Sequence, residues 1–114
     1  MSNSISIPNT IELNEENFDA EVLRSPLPML VIFAPEFRLA VSDLIRKLVR
    51  DVAEKYAGRL RIGIVGLDSH LALAQRFGIS SSLTLLIFRD GKMVDAAHGV
   101  MSEHAVFEML DRNL

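Results

Sequence analysis

The chain has 114 residues, 49% of them hydrophobic and 24% charged, with a net charge of -3 and no cysteine. That length and composition predict one globular domain and exclude a disordered or collagen-like chain. Without a thiol, thiolate catalysis, disulfide exchange and thiolate metal ligation are closed to it, and the negative charge gives no electrostatic reason to expect nucleic acid or an anionic membrane as partner.

Residues 1–9 read as an N-terminal extension and 10–114 as the domain. The first residues lack the basic and apolar regions of a secretory signal, and no apolar run approaches the roughly 20 residues of a bilayer span, so a cytoplasmic location is expected. Thr10 to Leu13 reads as a short first strand. Asn14 is placed to cap a helix that runs to about Arg24, with Glu15 and Glu16 matched to its positive end. Ser25-Pro26-Leu27-Pro28 then breaks the helix, because a proline disfavours helical geometry in the residue before it. Met29 to Ala34 is a continuous apolar run, as a central strand covered on both faces requires. From Val41 the apolar residues fall at 41, 44, 45, 48, 49, 52, 53 and 56, the spacing of one helical face held for four turns, and Gly58 is placed to end that helix. Leu60 to Gly66 reads as a third strand. Ser69 can cap a short helix that Gly78 closes. Ser82 to Phe88 reads as a fourth strand, Asp90-Gly91 as a type I′ hairpin turn, and Lys92 to His98 as a fifth strand. Ser102 caps a last helix with Val106, Met109, Leu110 and Leu114 on its inner face. The expected core is Leu30, Ile32, Leu44, Leu48, Val52, Ile62, Ile64, Leu85, Ile87, Val106 and Leu110.

The order of these elements gives an α/β fold, a central mixed sheet of about five strands flanked by about four helices. Between the second strand and second helix, where such a fold presents a reactive loop, stand Phe37, Arg38, Leu39, Ala40, Val41 and Ser42. None is a Cys, a His or an acid. His70, His98 and His104 are the three imidazoles, and a metal site would need two of them to converge with an acid such as Asp68, Asp95 or Glu103. No two share one helix at metal-ligand spacing, so surface histidines are expected, with no metal and no cofactor. Ser42 followed by Asp43 reads as a helix cap with a dipole-matched acid rather than a nucleophile. Gly63-Ile64-Val65-Gly66 sits inside a strand pattern and lacks the spacing of a nucleotide loop. Arg46, Lys47 and Arg50 form the outer face of the second helix, a solvated face or a surface for an acidic partner.

From about Thr10 to Leu114 the chain resembles the thioredoxin family. The resemblance is carried by residues 17–23, the strand from Met29 to Phe33, residues 52–60, Asp68, Arg76 to Ile79, Thr84 to Lys92, and His98-Gly99. It implies the thioredoxin fold. Where the family carries Trp-Cys-Gly-Pro-Cys, this chain has Phe37-Arg38-Leu39-Ala40-Val41 counted from the strand, or a loop one residue longer ending at Ser42 counted back from Tyr56. The family's cis-proline position is Leu83, where a cis bond would cost about 2.5 to 4 kcal/mol, so a trans bond is expected. The family's buried Asp and Lys, which assist proton transfer at the thiols, correspond to Ile32 and Ile64. Four parts of one catalytic apparatus are absent together.

The expected function is therefore a non-enzymatic one: a redox-inactive module that binds a protein or peptide, chaperone-like or accessory in role, as a monomer or weak homodimer. The family's peptide groove implies a rim made here by Pro35, Phe37, Leu39, Ser82, Leu83, Thr84, Gly99 and Val100, with Met101 beside it. Apolar residues exposed there point to a protein partner. The competing class is a component of a thiol-redox or hydrogenase-maturation pathway whose reactive groups come from a partner protein.

Overall fold

The computed structural model describes residues 10–34, 39–79, 83–99 and 101–114, with residues 39–42 described by their backbone. The second strand, β2 (Met29–Ala34), has a nonpolar side chain at every position, and all six are buried. Side chains alternate between the faces of a strand, so a run of this kind needs cover on both. It has it: Leu30, Ile32 and Ala34 enter one cluster, and Met29, Val31 and Phe33 enter another on the opposite face.

Around β2 the sheet has the order β1-β3-β2-β4-β5, where β1 is Thr10–Glu12, β3 is Arg61–Gly66, β4 is Thr84–Arg89 and β5 is Lys92–His98. β3 runs parallel to both β1 and β2, whereas β4 is antiparallel to β2 and to β5. The hairpin from β4 to β5 turns at Asp90 and Gly91, with φ of 53° and 78°, the paired positive values that a type I′ turn demands.

Four helices are described, and they divide between the faces. α2 (Leu39–Lys55) and α4 (Glu103–Asn113) cover the first cluster with Ile45, Val49, Val52, Val106, Met109 and Leu110. α1 (Asp19–Leu23), a short π-type turn, and α3 (Leu71–Arg76) cover the second with Val22, Leu73 and Ala74. Phe18, Phe77 and Phe88 pack there edge to face or tilted, with ring centroids 5.2 to 5.8 Å apart. The first helix begins later than expected, with Phe18 at its N-cap and no side-chain cap; Asn14 instead braces the turn before it, its Oδ1 accepting from the Glu16 and Asn17 amides at 2.8 Å while Asn17 Oδ1 accepts from the Asn14 amide at 2.8 Å. Ser102 Oγ accepts from the Ala105 amide at 3.1 Å and caps α4 as expected.

Several expectations are corrected. Leu44 is not core: it is 59% exposed. Successive helical residues turn by about 100°, and the buried line of α2 runs through Ile45, Val49, Val52 and Tyr56, so Leu44 lies a quarter-turn off the sheet. Leu48, between the two, is half-buried. Leu114 ends α4 at its C-cap and is 36% exposed rather than inward-facing. The cap position of α3 falls on His70, one residue after Ser69. The remaining expected core residues are buried, but the expected list held no residue of the second cluster.

Candidate functional site

The expected site lies where β2 enters α2, beside the start of β4 and the end of β5. Pro35, Phe37, Arg38, Ser82 and Val100 fall outside the described residues. Leu39, Ala40, Val41 and Ser42 form the first turn of α2, described by backbone alone. The described side of the rim is made by Leu83, Thr84, Gly99 and Met101.

Leu83 is half-buried. It packs against the first cluster and also borders a groove, so its side chain is shared between core and rim. Its carbonyl accepts from the Gly99 amide at 2.6 Å, which carries the β4–β5 ladder one step past the Thr84–His98 pair. Thr84 belongs to the rim by its place in the backbone, while its side chain is fully buried, because the strand alternation that points Leu83 and Leu85 to the first face sends Thr84 to the other. Its Oγ1 lies 3.3 Å from Nδ1 of the exposed His98. No cis peptide occurs among the described residues; the Ser82–Leu83 bond has one partner outside them.

The groove itself runs between α2 and α4, with a volume of about 280 Å³. Leu44, Leu48, Leu83, Leu85, Met101 and Val106 line it. Leu44 is thus the lip of a concave apolar site, which is why an apolar side chain stands exposed on a helix whose core line is complete without it. Lys47 closes one end: its Nζ donates to Asp51 Oδ2 at 2.9 Å on its own helix and to Glu103 Oε2 at 3.4 Å on α4. The hydrogen bond from Lys47 holds the Asp51 carboxyl below its usual range, and Asp51 holds the Lys47 ammonium above its own. Arg46 reaches Asp43 at 3.9 Å. The basic face of α2 is therefore answered in good part by acids of this chain.

The interior at the middle of β2 and β3 is hydrocarbon. Ile32 and Ile64 are partners across the parallel β2–β3 register, both buried in the first cluster. The three histidines stay apart. His70 Nδ1 meets Glu15 at 2.8 Å and His104 Nε2 meets Glu108 at 3.6 Å, so each engages a different element from His98. No group of three or more His, Cys, Asp or Glu able to hold a metal ion occurs among the described residues. Gly63 is in β3 for packing: a Cβ there would run into the Leu13 side chain and lie 2.9 Å from Met29 Cε. No described helix is long and apolar enough to cross a membrane.

Two contacts went unseen in the sequence. Tyr56, fully buried, donates from Oη to Asp111 Oδ1 at 2.7 Å and ties α2 to α4. Burial, and then the Asp111 bond, push its hydroxyl up to about 12. Asp95 ties β5 to α4 through Asn113 Nδ2 at 2.8 Å. Both link residues far apart in the chain, and no local pattern announces them.

A mixed five-stranded sheet with this order, flanked by helices on both faces and carrying no thiol at its loop, is a cysteine-free thioredoxin-like domain. The thioredoxin family model matches residues 9–112, and the chain belongs to the thioredoxin family. It is similar to thioredoxin 1 of Synechococcus elongatus, 29% identical over 102 residues, which cover 90% of this chain and 94% of that protein. It is also similar to thioredoxin 1 of a Nostoc species, 28% identical over 103 residues with 90% and 95% covered. A thioredoxin of Acidithiobacillus ferridurans is 28% identical over 102 residues, with 90% and 94% covered.

Proposed function

We propose that this protein is a redox-inactive member of its family that binds another polypeptide, chaperone-like or accessory in role, through the groove between α2 and α4 and the rim at Leu83 and Gly99. The observation that carries the reading is the groove: an apolar hollow lipped by an exposed Leu44, at the end of the sheet where the loop stands, in a chain without a cysteine. Thiol–disulfide exchange proceeds by thiolate attack, so the chain holds no nucleophile for that chemistry. A hollow of this size admits one or two aliphatic side chains, and a polypeptide that inserts them gains their burial without displacing the core.

The test is capture of partner proteins from the native cell by intact chain, by Leu44→Glu and by Met101→Glu. Leu71→Glu, at a position on α3 that is 61% exposed and remote from the groove, serves as control. The reading expects one set of proteins lost with both groove variants and kept with the control, all three remaining folded. Capture that survives both groove variants would overturn it.

A further inference from the structure

β5 is the outermost strand of the sheet and has a neighbour, β4, on one side only. Gly99 donates to the Leu83 carbonyl, so that pair is hydrogen-bonded. Antiparallel pairs alternate between bonded and non-bonded, which makes the Leu85–Ala97 pair bonded and turns the backbone groups of Ala96 and His98 away from β4. The Ala96 amide is therefore an edge donor. It is already taken: Asp95 Oδ1 accepts it at 2.8 Å. The other carboxylate oxygen accepts from Asn113 Nδ2 at 2.8 Å and from Arg112 Nη2 at 3.3 Å, both on α4. A carboxylate held on two sides does not swing clear of the edge as a free surface aspartate would.

The edge it covers is otherwise suited to pairing. β5 has seven residues, with Met93 51% and Val94 45% exposed. A long edge strand bearing apolar side chains is a template on which another strand adds. The register shift at Ile87 and Phe88 blunts the Lys92 end of the strand and leaves the stretch from Asp95 to His98 regular. That stretch is the part Asp95 covers.

We propose that Asp95 is a lock on the β5 edge, and that the strand an unlocked edge takes is β5 of a second copy of this chain. An isologous antiparallel pairing about Ala96 offers the same outward backbone groups from both sides. It also places the two Lys92 side chains roughly 27 Å apart at about 3.4 Å per residue, beyond a Debye length of about 10 Å, so the two lysines do not oppose it. The Asn113 hydrogen bond holds the Asp95 carboxyl below its usual range.

Light scattering over a wide concentration range tests the lock. The intact chain stays monomeric; Asp95→Ala becomes a dimer as concentration rises. The double variant Asp95→Ala with Ala96→Pro returns to monomer, because proline removes an outward N–H and no ladder bond. A folded Asp95→Ala that stays monomeric, or a dimer that persists in the double variant, overturns the proposal. Amide exchange in the unaltered chain gives an answer that needs no variant to fold: the Ala96 amide exchanges at least about tenfold more slowly than the outward amide of His98. Equal rates would also overturn it.

Discussion

Ile32 and Ile64 face each other across β2 and β3, two isoleucines in register at the centre of the sheet and buried together. The contact is apolar on both sides. Ile32→Asp leaves an unpaired charge in that interior and is expected to cost about 3 to 5 kcal/mol in urea unfolding. Adding Ile64→Lys supplies a partner one strand away, and part of the loss, about 0.5 to 3 kcal/mol, returns as coupling. Strictly additive losses would show that the two positions do not meet.

The two flanks of α2 differ in the same measurement. Ile87→Ala, across from the buried line, is expected to lose about 2 to 5 kcal/mol through lost burial and a residual cavity. Leu44→Ala should stay within about 0.5 kcal/mol of the intact chain, and Leu48→Ala should fall between them. If Leu44→Ala costs as much as Ile87→Ala, the groove is closed in solution.

Tyr56 gives a pH signature that is simple to read, because the chain has one tyrosine and no tryptophan. Its ionisation, followed by phenolate absorbance, should centre near 12 instead of the ordinary 10.0. The folded value is raised, so the stabilisation is fully present below pH 10 and is lost as pH rises from 10 through about 12. Tyr56→Phe removes the bond to Asp111, costs about 1 kcal/mol, and flattens that alkaline loss. A phenolate midpoint near 10 in the folded protein would refute the buried contact.

Insulin reduction with dithiothreitol should proceed at the protein-free rate when this chain is added, since no mixed disulfide can form on it. The melting temperature should be the same with and without reductant. A rate clearly above the blank would sink the redox-inactive reading.

Much of the fold was legible because its strongest signals are local. The six nonpolar residues of β2, the Asp90-Gly91 turn and the Ser102 cap each specify their conformation within a few neighbours. The second face was harder: α1 has five residues and α3 six, too short for a period to stand out, so Phe18, Val22, Leu73 and Ala74 gave no stripe. The α2 stripe was real but wider than its cover. How much of a stripe is buried depends on what packs beside it, which no spacing reports; hence Leu44 read as core and is a lip. Thr84 has a related lesson: its rim assignment follows loop position, whereas the burial of its side chain follows strand alternation. Asp95 on the Ala96 amide depends on α4 delivering Asn113 and Arg112 to the end of β5, a tertiary fact.

The isoleucine pair also bears on what installing thiol chemistry in this domain would require. Two cysteines placed among residues 37–42 would supply thiols, but Ile32 and Ile64 would offer neither an acid nor an amine to take up and return their protons. Each of those groups, introduced singly, lowers stability before it serves any chemistry, and a domain of this size has only about 5 to 15 kcal/mol to lose. The hydrocarbon interior thus acts as a barrier: each polar group that such chemistry needs is introduced only by way of a weaker intermediate.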